Sequence, residues 1–591
     1  MVKRKLKAEL NKFLCDVLII GNGSAGLRAA IEAHDCGANV VIVSKSKRGD
    51  PHTVLATGGI NAALGTMDPK DNWKIHAADT LREGRFLADY ETVKAMCKNA
   101  PQAIKELIEW GARFQREPDG RLTQRFFGAH SYRRTCFYGD ETGKEIIHVL
   151  MRQAHKRRIK IMDWVYIPKL LDSSGEIIGA MGIDVKRERF VTFISKCVIL
   201  AGGGYSHVYT VSSSRDFENY GEGVALAYDA GADLIDMEMV QFHPTGMVWP
   251  KQTVGNLATE SIRGEGGILL NSKGERFMNN YNPQKMELGP RDEVARAIYN
   301  EIMSGRATKH GGVWLDITDL PKKKILERLP RMYKQFKKLA GIDISKQKME
   351  VAPTAHYSMG GVKVDNKGRT KIKGLFAVGE VTGQLHGANR LGGNSLLETI
   401  VFGRIVGREA AMYSKQTHRK YVSSLLDLDS ILVNTTDDIF FVVNNANKIR
   451  HKVQKLMQEN AGIIRDASKL ENALEAILEL KDTYFPKNWE KANAKLTKKK
   501  ISENLVATLD LKSSLIICEA VIRNALMRQE SRGAHYRRDF SNRNDKNWLV
   551  NIHCVKNEKG IMRLFSTKVK ERKEPLKHPR SSFKAEHHLL E

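Results

Sequence analysis

The chain has 591 residues, 42% of them hydrophobic, with only 15 Pro and a formal net charge of +27. One hydrophobic core does not grow to that length, so about two to four domains are expected, with room to bury a large cofactor. No apolar run approaches the roughly twenty residues of a membrane span, and the basic charge is spread along the chain without an RNA or DNA module, which excludes a spanning protein and argues against nucleic acid as a partner.

The basic N-terminus, MVKRKLKAELNKFL, lacks an apolar core and a cleavage site and runs straight into the first predicted strand, so a cytosolic, prokaryotic protein is expected. Cys15, Cys36, Cys97, Cys136, Cys197, Cys518 and Cys554 contain no CxxC pair. Reduced, structural thiols and no zinc or iron–sulfur ligand set follow.

CDVLIIGNGSAGLRAAIEAHDCGANVVIVSK, from Cys15, has the grammar of a strand–loop–helix–strand unit. An apolar run, Val17 to Ile20, leads to Gly21, Gly23 and Gly26, then to a helix with Ala25, Leu27, Ala30 and Ile31 inward, then to a second run, Val40 to Val43. Gly21 permits the tight turn, Gly23 admits a pyrophosphate, and Gly26 lets helix and strand pack. The helix N-terminus, with Ser24 and Ala25 in its first turn, faces the phosphates. The second strand ends in Ser44-Lys45 where an Asp or Glu usually holds a ribose. A hydroxyl can still bond a ribose, which weakens the case for NAD more than for FAD.

RGDPHTVLATGGINAAL, from Arg48, sets His52 and Thr53 after a proline turn and ahead of Gly58-Gly59. That pair is expected to open a helix and to let the backbone approach the cofactor. KCVILAGGGYSHVY then reads as a third strand ending in glycines, beside NYGEGVALAYDAGA with Glu222.

The insert from Asp236 to Ala352 and the segments after it are dense in His, Arg and Glu. FHPTG supplies His243, TESIRGEGG supplies Thr259, Glu260 and Arg263, GPRD supplies Arg291, PTAHYSMGG supplies His356, and GANRLGGNS supplies Arg390. Guanidinium groups bind carboxylates bidentately, and imidazoles with a hydroxyl complete such a shell, so a small dicarboxylic acid is the expected ligand. IKGLFAVGEVTGQLHGANRLGGNSLLETIVFGRIVG, from Ile372, repeats strand, glycine loop and helix. Glu380 at its strand end accepts from sugar hydroxyls, and Asn394, Ser395 and Leu396 open a helix whose amides meet a flavin's pyrimidine edge. Three such strand ends suit a cofactor as long as FAD. Beyond residue 416, SKLENALEAILELKDTYF and LKSSLIICEAVIRNALMRQES have helical periodicity, and WLVNIHCVKNEKGIMRLFSTKVKERKE reads as a hairpin across NEKG followed by a basic tail.

These segments, with SKSKRGDPHTVLATGGINAALG near the start and RQESRGAHYRRDF near the end, resemble the flavoprotein subunit of succinate dehydrogenase and fumarate reductase in family order over residues 14 to 548. The resemblance implies an α/β fold: a Rossmann-type FAD-binding domain (1–235 and 353–415) with an inserted α+β capping domain (236–352), a helical domain (416–535), and a small C-terminal domain with a basic tail (536–591). It implies FAD bound covalently through His52, with Arg291 as the acid/base, Glu260 and Arg263 as a proton relay, and His243, Thr259, His356 and Arg390 holding the two carboxylates. An iron–sulfur subunit, a membrane anchor and a quinone are the implied partners, with peripheral attachment at the cytoplasmic membrane face. The related L-aspartate oxidases are the alternative. Phe127 stands where they carry a glutamate for the substrate's ammonium, and burying that charge beside a phenyl ring would cost several kcal/mol. Thr57 in ATGG, Glu222 in YGEGV, and one residue fewer between Glu380 and Arg390 depart from the family pattern.

Overall fold

A computed structural model describes residues 11–417, 442–485 and 502–570. The basic N-terminal stretch before residue 11 and the basic tail from residue 571 lie outside the described residues.

β1 (Asn11–Ile20) passes through the glycine loop into α1 (Ser24–Asp35) and β2 (Val40–Ser44). β3 (Lys160–Asp163), β4 (Val165–Ser173), β5 (Glu176–Asp184) and β6 (Arg189–Leu200) complete most of the main sheet. β3, β2, β1 and β6 lie side by side and parallel. Parallel strands covered on both faces must be apolar throughout, and Val17, Leu18 and Ile19 are wholly buried. β6 is long because its outer edge serves two partners. Its first half pairs antiparallel with β5, and Val198–Leu200 pairs in parallel with the later strand Leu375–Ala377. The loop is as tight as the spacing predicts: Gly21 has φ +119°, and a Cβ there would lie 2.1 Å from Ala201 O. A Cβ at Gly26 would lie 2.0 Å from Gly21 O, so only hydrogen fits between helix and strand.

The insert builds a second, antiparallel sheet in the order β7 (Val240–Met247), β10 (Met349–Ser358), β9 (Val313–Asp316), β8 (Ile268–Leu270). α2 (Glu260–Gly264) and α3 (Arg291–Glu301) pack on it, and Ile262, Phe277, Ile298, Leu315 and Phe336 share its separate core. β10 starts in that core with Met349 and Val351 and runs through His356 to Ser358, so the expected division at residue 352 falls inside one strand. Beyond it, α4 (Asn394–Gln416) crosses α1.

The two late helices form as predicted, at Ala467–Tyr484 and Ser502–Met527, as does the hairpin, Val550–Lys556 with Met562–Lys568. The hairpin pairs Cys554 with Leu234, which returns the C-terminal segment to the point where the insert departs. One local reading is corrected. Gly58-Gly59 opens no helix: Ile60–Asn61 is a short strand against Thr135–Cys136, and the helical turn lies earlier, at His52–Leu55. Asn61 Nδ2 donates to Gly392 O (2.7 Å) and Asn394 Oδ1 (2.8 Å), and these distant partners outweigh the local pattern. Among the described residues no helix is long and apolar enough to cross a membrane.

Candidate active site

A cavity of about 370 Å³ follows the carboxyl ends of the main sheet and continues beneath the cap. Of the residues expected at a cofactor, Gly21, Gly23, Ser24, Ala25, Ser44, Lys45, His52, Thr53, Gly58, Gly59, Glu222, Glu380, Ser395 and Leu396 line it. Of those expected at a substrate, Phe127, His243, Thr259, Glu260, Arg291, His356 and Arg390 do. Three do not. Gly26 lies under the loop, as its packing role requires. Arg263 sits behind Glu260 and donates from Nη1 to Glu287 O. Asn394 is turned away: its amide donates to Leu391 O, and its side chain joins Asn61, His76 and Thr80 in a buried network.

At the nucleotide end, charged groups meet each other. Lys45 Nζ donates to Glu222 and lies 3.5 Å from Asp510 Oδ1, while Arg450 approaches the same carboxylate at 3.6 Å. Asp510 and Arg450 come from the helical region, which no local pattern in the sequence announces. Burial pushes Asp510 above the ordinary carboxylate range against the pull of Lys45. Ser358 donates to Glu380 Oε1 from both N (3.1 Å) and Oγ (3.3 Å), which leaves Oε2 for a ligand hydroxyl.

His52 opens the short helical turn after Pro51. Its Nδ1 lies 2.7 Å from Glu218 Oε1, and Glu218 also accepts from Arg215 Nη2 at 2.8 Å. Burial lowers the ring's pKa, but the Glu218 carboxylate outweighs it and holds His52 above the ordinary imidazole value. Thr53 ties the turn to α1, since Ser24 N donates to its Oγ1 at 3.4 Å. Glu218 and Arg215 escaped sequence reading because SSRDFENYG carries no periodic or glycine-loop signal.

Under the cap, Thr259 is the N-cap of α2: its hydroxyl oxygen accepts from Ser261 N, and its own proton stays free to donate. Glu260 follows in the first turn. Arg291, first residue of α3, donates to Glu260 Oε2 from Nε (2.7 Å), with Nη2 at 2.5 Å from the same oxygen, and donates from Nη1 to Gln241 Oε1 (3.1 Å). Burial would raise Glu260, yet Arg291, then Arg263 and His243, hold it down to about 2. Thr245 engages His243 Nδ1, with its N at 3.2 Å and its O at 3.3 Å. Burial, then the nearby arginines, push His243 well below the ordinary imidazole value and keep it neutral. His356, edge-on to it at 5.4 Å between centroids, is depressed likewise by burial and by His243, and its Nδ1 lies 2.9 Å from Ser213 Oγ. Arg390 is 2% exposed, and its guanidinium has one polar contact, Nη1 to Ser395 Oγ at 3.2 Å. Its Nε is buried without a partner, and its guanidinium lies 4.3 Å over the Tyr357 ring. Burial and Arg291 push its pKa down to about 10. Phe127, 1% exposed, packs beside Gly392 and offers no charge to the cavity.

A long cavity on parallel strand ends, leading to buried cations under a separate cap, is the arrangement of an FAD-binding oxidoreductase that acts on an anionic substrate. Residues 16–396 match the family model of the FAD binding domain, and residues 450–580 match that of the fumarate reductase flavoprotein C-terminal domain. The chain is 45% identical to one of the subunits of fumarate reductase (CoM/CoB) from Methanothermobacter marburgensis, over 90% of this chain and 95% of that one. It is 36% identical to the succinate dehydrogenase flavoprotein subunit of Rickettsia bellii, over 92% and 93%. FrdA of E. coli quinol fumarate reductase superposes with a TM-score of 0.88 at 32% identity, over 96% of this chain and 99% of that one. The chain belongs to the family of flavoprotein subunits of succinate dehydrogenase and fumarate reductase, FAD-dependent oxidoreductases.

Proposed function

We propose that the chain interconverts succinate and fumarate. One observation carries this reading: Glu260 bonds Arg291 under the cap, while Arg263 and Arg390, buried close by, make no ion pair among the described residues. A small dianion balances that surplus, and a buried cation left unbalanced is costly. Bound FAD supplies the two-electron donor or acceptor for the substrate's carbon–carbon bond. Gly21, Gly23, Ser24, Ser44, Glu222, Glu380, Ser395 and Leu396 would hold it.

Arg390 takes one carboxylate, helped by His356. His243 Nε2–H and the Thr259 hydroxyl donate to the other. Clamping both ends fixes the reacting carbon against the cofactor side of the cavity, where orientation lowers the barrier. Arg291 exchanges a proton with that carbon. Glu260, ionised at rest and bonded to two of its nitrogens, hands it a proton taken up in turn from Arg263, one helical turn on, which draws it from solvent. Phe127 keeps water out and favours an unaminated acid, which speaks against the aspartate-oxidase alternative. In the same reading the insert 236–352 acts as a capping domain over the site, between parts 1–235 and 353–415 of the FAD domain. Residues 416–535 and 536–591 follow as helical and C-terminal domains.

His52 is the proposed attachment point of FAD. Glu218 occupies Nδ1 and leaves Nε2 as the nitrogen free to bond. The protein denatured in SDS is expected to keep yellow fluorescence that His52→Ser loses; a colourless denatured wild type removes the covalent claim. Relatives named as subunits support a multi-subunit assembly; an iron–sulfur subunit and a membrane anchor are the partners proposed for it, with peripheral attachment at the cytoplasmic face. The 45% relative is named for CoM and CoB and not for a quinone, which favours a second reading of the electron source: fumarate reduction driven from CoM and CoB. The activity itself is tested anaerobically with reduced viologen and fumarate, and with succinate and an oxidised dye. Turnover of either, blocked by malonate, is expected; silence with both acids, together with peroxide release from L-aspartate in a parallel assay in air, contradicts it.

A further inference from the structure

The segment RQESRGAHYRRDF takes no part in the chemistry above. Its turn Arg532–His535 is closed at both ends: Arg532 N donates to His535 O (2.8 Å) and His535 N to Arg532 O (3.1 Å). Wholly buried Glu530 holds the turn from behind, accepting from Arg532 Nε (2.6 Å), Arg532 Nη2 (3.0 Å) and Asn544 N (2.8 Å). The tip touches two other parts of the molecule. Ala534 N donates to Ala388 O at 2.8 Å, in the loop that carries Arg390. Gly533 O accepts from Arg296 Nη1 at 2.8 Å, on the helix that begins with Arg291.

From Arg296 a chain of hydrogen bonds runs into the site. Arg296 Nη2 donates to Asp292 Oδ2 (3.0 Å), and Asn389 Nδ2 donates to Asp292 Oδ1 (2.8 Å) and Glu83 Oε1 (2.7 Å). Because the amino group of Asn389 faces two carboxyl groups, its Oδ1 must turn toward Gln241, whose Nε2 donates to it (2.8 Å) and to Arg390 O (3.0 Å). That in turn leaves Gln241 Oε1 for Arg291 Nη1, at 3.1 Å. Neither amide can flip without losing bonds, so the chain has one direction and one length. It ends on the guanidinium of Arg291 and the backbone of Arg390 together.

We propose that the Arg532–His535 turn is a positioning element that sets where Arg390 stands against the strand of Gln241 and His243, and with it the preference for a ligand bearing two carboxylates. The inference rests on the dicarboxylate reading above. A clamp for two charges is sensitive to spacing on the ångström scale, whereas a ligand with one carboxylate follows whichever end of the clamp it meets.

The test titrates the FAD-loaded enzyme with malonate and with propionate, following the flavin absorbance, in wild type, Arg296→Met, Gly533→Ala and the double variant. A methyl at Gly533 would lie 2.4 Å from Ala388 O and must push the turn away. Each single variant is expected to weaken malonate about tenfold, the worth of one buried hydrogen bond, while propionate changes less than about twofold. The double variant is expected to be no worse than the poorer single one, because both cut the same connection. An unchanged malonate-to-propionate ratio in Arg296→Met, or losses that multiply in the double variant, overturns the positioning role. If Gly533→Ala fails to fold, Arg296→Met decides alone, since that side chain is part-exposed and outside the clamp. A wild type that does not prefer malonate defeats the dicarboxylate reading itself, and the positioning role with it.

Discussion

The two ends of the cavity handle buried charge differently. At the nucleotide end, Lys45 lies between Glu222 and Asp510, and His52 beside Glu218, which also holds Arg215, so each cation meets a carboxylate of the chain. Under the cap, Arg390 lies over a tyrosine ring with one weak polar contact, and Arg291 depends on a carboxylate that Arg263 also crowds. The first region is electrostatically complete without a ligand. The second is completed by one, and it is there that binding energy can be directed at a dianion.

Breaking the incomplete end should have the largest effects. Arg291→Ala is expected to lower turnover about 1000-fold or more, the scale of a lost acid/base, while malonate still binds. Lost binding with intact turnover would instead make Arg291 part of the clamp. Arg390→Leu should raise KM for fumarate about 100-fold, as removal of a charge-assisted contact does, with a smaller change in kcat.

Acid sharpens the contrast further. His243 and His356 are held well below their ordinary pKa, so below pH 6.5 the unfolded chain takes up protons that the folded rings refuse. Stability of the ligand-free protein should therefore fall as pH drops below 6.5, by up to about 1.4 kcal/mol per pH unit for each ring, and should be level in this respect above it. Glu260, held at about 2, adds its own loss only as pH falls below the ordinary carboxylate value. Denaturant melts at several pH values check this, and malonate should relieve part of the loss. Lys45→Met, at the complete end, is expected to destabilise by only about 1–2 kcal/mol because the pair is part-exposed, and to leave malonate affinity alone.

The nucleotide unit was legible because its signals are local: a continuous apolar run to Ile20, glycines at fixed spacing, and helical periodicity from Ala25 to Ile31. The cationic residues could be picked out by their density in glycine-flanked segments, and the fold does bring His243, Thr259, Arg291, His356 and Arg390 to one cavity. What escaped was everything held by distance in sequence. Glu218 reaches His52 across 166 positions, and Asp510 reaches Lys45 across 465. Gln241 meets Arg291 through a bond that neither segment predicts alone. Asn394 lies off the cavity for the same reason: a helix N-terminus advertises free amides, but His76, Thr80 and Leu391 claim this residue first.

The central claim, that the surplus cations under the cap form a site for two carboxylates, is tested most directly by titrating the FAD-loaded enzyme with malonate and with its monomethyl ester. The ester keeps the shape and removes one charge. It should bind at least about tenfold more weakly, the worth of one charge-assisted hydrogen bond, and lose no further affinity in Arg390→Leu if the remaining carboxylate sits on His243 and Thr259. Equal affinity for the diacid and the ester would contradict the account.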